Sequence, residues 1–152
     1  MALNIVFNPK NRCNYSLTSR YIKSMDKRIS LRPIVESAKV DETTHPNEVF
    51  QNETLRPIIK MQHLLILAFV SDHVMKFNKG FLELSKGKQR TFVTNLFAKD
   101  NTFKHRLTGL IIGQFTIDEF KTYTAIAPDV NKRILTICLE RMMVHLNEIG
   151  VE

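Results

Sequence analysis

Leu64-Leu65-Ile66-Leu67-Ala68-Phe69-Val70 is the longest wholly apolar run in the chain. Seven residues make about two turns of helix, far short of the roughly 18 or more that a membrane-spanning helix needs. No polar residue interrupts the run, so a helix through it lacks a solvent face at its centre. Such a helix is expected to be the buried axis of the fold. Leu65 and Phe69 are then expected to be core residues.

Reading outward, Asn78-Lys79-Gly80 stops this helix near Phe77. Its start turns on Pro57. With Thr54 as N-cap, the proline falls in the first turn, where a missing N–H matters least. A start near Asn47 instead puts Pro57 inside the helix and implies a kink. Ser85 is a fair cap for a second helix to about Ala98. Asp100 caps a third, with Phe103, Leu107, Leu110 and Ile111 at helical spacing and Gly113 placed as a left-handed C′ residue. Thr116 and Glu119 form a T-x-x-E capping box, with Phe115 and Phe120 spaced as a hydrophobic staple. Pro128 and Asp129 open the last helix. Its stripe is Leu135, Cys138, Leu139, Met142, Leu146 and Ile149, and Gly150 ends it. No alternating strand pattern appears. The expected fold is all-α, a compact bundle of about five helices over residues 47–150, with short joints.

Residues 1–46 read as a mobile leader, disordered or extended. They contain no continuous apolar segment of a secretory signal. The first 24 hold Lys10, Arg12, Arg20 and Lys23 and no acid. That composition fits a transit peptide, or an over-extended start with the native chain opening at Met25; the second reading is preferred. The tail also localises the charge. The formal net charge is +7, but the other 128 residues hold 18 basic and 15 acidic side chains, an ordinary balance for a soluble domain. Hydrophobic content of 43% excludes a disordered chain. Cys13 and Cys138 lie in different settings, and reduced thiols of a cytoplasmic protein are expected.

Chemistry-bearing patterns are sparse. His63 and His73 share a helix face but stand about 15 Å apart along the axis, too far for one ion. His45, His105 and His145 have no E-x-x-H partner. No metal, cofactor or catalytic residue is therefore assigned. Cys138 falls in a core stripe, where a thiol is inert packing. Gly109-x-x-x-Gly113 reads as one tight contact plus one cap rather than a close helix approach. Lys86, Lys88, Arg90, Lys104 and Arg106 are the candidate phosphate contacts. The acids opening the fourth helix, Asp118 and Glu119, would face a nucleic acid backbone badly.

Three stretches carry a resemblance. They are Asn52-Glu53-Thr54-Leu55-Arg56-Pro57-Ile58-Ile59-Lys60-Met61-Gln62, Phe103 through Thr116, and Asn131-Lys132-Arg133. Residues 47–147 resemble a family of small helical proteins of Bacteroidota bacteria whose members often carry the label glyoxalase. The resemblance implies a helical fold and supplies no catalytic residues. The vicinal-oxygen-chelate glyoxalases build their metal sites on β-rich repeats, a pattern this sequence lacks, so a glyoxalase-type lyase is the least favoured reading.

The favoured reading is a non-catalytic protein-interaction module that presents a helix surface to another protein or to a second copy of itself. Arg56, Gln62, Gln114, Tyr123, Asn131 and Lys132 are the candidate contacts, being hard to justify as core. A nucleic-acid-associated factor using the basic residues of 79–106 is the alternative. No membrane association is expected.

Overall fold

The computed structural model describes residues 27–36, 40 and 43–151. The expectations on residues 1–24, on Met25 as the start and on Cys13 lie outside these. The fold is all-α, with no strand among the described residues. Six helices follow in order. They are α1 (Pro46–Met61), α2 (His63–Phe77), α3 (Lys86–Lys99), α4 (Asn101–Ile112), α5 (Ile117–Ala125) and α6 (Ala127–Val144). No single helix among the described residues is long and apolar enough to cross a membrane.

The first predicted helix is two helices. α1 starts at Pro46, with the His45 ring accepting from the Asn47 N–H. Its middle, Gln51–Leu55, widens into a π turn, and the Arg56 N–H reaches back to the Gln51 carbonyl. The wide turn sits immediately before Pro57, whose ring would crowd a regular α turn and whose missing N–H would orphan a carbonyl. The break falls at Gln62, where α1 and α2 meet at 65°. An extra element results, six helices where about five were expected.

The buried axis is also not where the apolar run places it. On α2 only Ile66, Val70 and Val74 are fully buried, an i, i+4, i+8 stripe. Leu64 is 76% exposed and Leu65 51%. Phe69 is half-buried and stacks on Phe103, with ring centroids 5.3 Å apart. An all-apolar run does not oblige every side to be covered; a single stripe suffices to dock the helix. The hub is α6. It packs against α1, α3, α4 and α5 and buries Val130, Ile134, Ile137, Cys138 and Met142. Burial pushes the Cys138 thiol up to about 12, so it is inert packing as expected.

Local signals behaved unevenly. The Asp100 carboxylate accepts from the Phe103 N–H at 2.8 Å and caps α4. The Thr116–Glu119 capping box is complete in both directions. The staple is different: Phe115 packs edge-on against Phe50 and Tyr123, while Phe120 is half in solvent against Tyr123. Ser85 precedes α3 without a side-chain cap bond. Gly113 is not left-handed; its φ is −59°, and Gly150 at +79° holds the one positive φ among the described residues.

Candidate functional site

The capping box does more than start a helix. The Arg32 guanidinium grips both oxygens of Glu119 and donates to the Gln114 carbonyl at 2.9 Å. Thr54, from the π turn of α1, donates its hydroxyl to the same carboxylate at 3.3 Å. Arg28 reaches the Gly113 carbonyl. A 3₁₀ turn at Ile29–Leu31 precedes Arg32, so this part of the leader is tied to the α4–α5 corner. Burial resists the ionisation of Glu119, but the Arg32 hydrogen bonds and the Thr116 N–H outweigh it and hold the carboxyl below the ordinary range. The Arg32 Nε is buried without a hydrogen-bond partner among the described residues, while its two terminal nitrogens hold Glu119 and the Gln114 carbonyl and anchor the segment before it.

The six predicted contact residues are scattered. Arg56 donates to Asn52 Oδ1 one turn earlier on α1. Gln62 is the break itself. The Gln114 main chain serves Arg32. Tyr123 donates its hydroxyl to Asn131 Oδ1 at 3.0 Å, the single pair among the six that the fold brings together by side-chain bonding. Lys132 is exposed. The basic residues also divide. Lys86, Lys88 and Arg90 lie exposed in the first turns of α3, whereas Lys104 bonds the Ala98 carbonyl at its far end. That end is about 15 Å along the helix from Lys88. Gly109 is exposed, and a methyl added there would meet nothing within 4 Å. The glycine pair is therefore no close-approach motif.

Two clusters of titratable groups emerge that no sequence spacing announces. In the first, His73 Nε2 lies 3.0 Å from Asp100 Oδ2. The His73 ring sits between Phe77 and Phe103, at centroid distances of 4.7 and 5.0 Å. The pair lines a cleft of about 540 Å³ with Phe77, Phe92, Leu96 and Lys99. Asp100 already serves as the α4 cap, and its carboxyl is held low first by the Phe103 N–H and also by His73. The arrangement fixes a helix start against α2.

In the second cluster, His63 opens α2 and His145 closes α6, with ring centroids 4.3 Å apart. His145 Nδ1 lies 2.7 Å from Glu148 Oε1, in the 3₁₀ turn Leu146–Glu148. The Arg141 Nε–H donates to His63 Nδ1 at 2.8 Å. Burial, then Arg141 and His145, lower the pKa of His63 and favour the neutral ring. His63 shares a helix with His73 but meets a histidine 82 positions away, at the end of another helix.

No family model matches the chain, and no curated protein and no solved structure matches it either.

Proposed function

We propose that the chain is a non-catalytic interaction module that docks through the exposed apolar ridge of α2. The observation that carries this reading is the exposure of Leu64 and Leu65, 76% and 51%, in the most apolar stretch of the molecule, with Ala68 exposed beside them one turn on. Single exposed leucines are common. Adjacent ones outside the packing stripe of their own helix form an apolar patch of the kind that partner sites use.

The partner is a second copy of the chain. A two-fold axis through an apolar ridge makes the ridge its own complement. Light scattering coupled to size exclusion, over a concentration series, tests this. The wild type is expected to self-associate with rising concentration. Leu64→Ser with Leu65→Ser is expected to remain monomeric at an unchanged thermal midpoint. A wild type that stays monomeric throughout overturns the reading. The nucleic-acid alternative rests on the exposed Lys86, Lys88 and Arg90, and steeply salt-dependent DNA binding would favour it instead.

A further inference from the structure

We infer that His63, His145 and Glu148 form a binding site for a divalent transition-metal ion of the zinc, nickel or copper type. This inference goes beyond the interaction reading and does not depend on it. One ligand atom from each of the three residues lies within 4.8 Å of the other two. An ion with bonds of about 2.0–2.2 Å to nitrogen and oxygen draws such atoms to within roughly 3.5 Å of one another. Small side-chain adjustments accomplish that, since Glu148 is exposed and both imidazoles are half-buried.

The donor set selects the metal. Two imidazoles and one carboxylate suit borderline ions, whereas magnesium and calcium prefer oxygen alone. Three protein ligands leave at least one position for water or another donor. The three residues come from the start of α2, the end of α6 and the turn that follows it. An ion would therefore cross-link the N-terminus of α2 to the C-terminal end of α6.

Arg141 is the competitor. Its Nε–H occupies His63 Nδ1 at 2.8 Å. A neutral ring accepting there carries its proton on Nε2, so ligation through Nδ1 must displace the guanidinium. Its positive charge also opposes a dication. Arg141 thus acts as a stand-in that holds the acceptor nitrogen in place and weakens binding.

Calorimetric titration of the untagged full chain with zinc chloride, with thermal midpoints measured in parallel, tests the site. Zinc and nickel are expected to bind and raise the midpoint, while magnesium leaves it unchanged. His63→Ala and His145→Ala each should weaken zinc binding by roughly tenfold or more, and Arg141→Met should strengthen it. The metal-free midpoint of each variant shows that it folds. Should His63→Ala fail to fold, His63→Gln takes its place. Absence of zinc binding by the wild type overturns the inference. So does binding that survives in a folded variant carrying both histidine replacements.

Discussion

The Arg32 guanidinium closes on both carboxylate oxygens of Glu119, 87 positions away in the chain. The Arg32 side chain is 5% exposed and the Glu119 side chain 15%. A capping-box glutamate is ordinarily the junior partner, worth less than the cap residue itself. Here the order inverts. Thr116→Ala is expected to cost about 1 kcal/mol, the usual loss of an N-cap. Glu119→Ala is expected to cost about 3 kcal/mol, because it leaves a buried guanidinium without its counter-charge. Denaturant midpoints of the two variants check the inversion.

Acid should unfold the protein in two stages. His63 is depressed below 6.5 by burial and by Arg141. Its contribution is fully present above 6.5 and drains as pH falls, because the unfolded chain takes the proton first. Glu119 is depressed below 4.5 and Asp100 below 3.8. Their contributions are present above those values and drain as pH falls through the lower folded ones. Stability measured from pH 8 downward should therefore dip just below 6.5 and fall again below 4.5. His63→Gln should remove the first dip and Glu119→Gln should flatten the second limb.

Neighbouring residues of α2 should respond in opposite ways to truncation. Ile66 is fully buried, and Ile66→Ala is expected to cost about 2–5 kcal/mol. Leu65→Ala should change stability by no more than about 0.5 kcal/mol. Phe69→Ala should fall at the low end of the roughly 3–5 kcal/mol range for phenylalanine, since the ring is half-buried on Phe103. Urea unfolding of the three variants gives the comparison.

Glycine replacements separate conformational need from helix propensity. A methyl on Gly150, at φ +79°, would meet Met75 Sδ at 3.0 Å. Gly150→Ala should destabilise by about 1 kcal/mol or more. Gly109 lies inside α4 with nothing near its absent Cβ. Gly109→Ala should stabilise by about 0.5–1 kcal/mol. Thermal midpoints moving in opposite directions would bear out both.

What could be read from the residues was local. Asp100, Thr116 and Glu119 announce helix starts because a cap acts within four residues, and the stripe through Cys138 and Met142 follows helical period. The burial of α2 was not readable, because Leu64 and Ile66 are equally apolar and only the packing of α1 and α4 decides which is covered. The histidine cluster escaped for the same reason. Metal motifs are recognised by spacing along one helix, and His63 meets His145 only after α2 and α6 have docked. Arg32 offered no periodic signal, since its segment is anchored by isolated side chains, Arg28 and Arg32 among them. A basic residue far upstream of a capping-box glutamate was the one available hint.

The position of the hub also shapes how the molecule is made. α6 is the last of the six helices to leave the ribosome, yet α1, α3, α4 and α5 all pack on it. Until residue 144 emerges, these four helices have no α6 surface to pack on. The nascent chain must therefore hold several amphipathic helices in an unfinished, sticky state until α6 emerges. Chains stalled before Ala127 should be the natural clients of a chaperone that shields apolar helices.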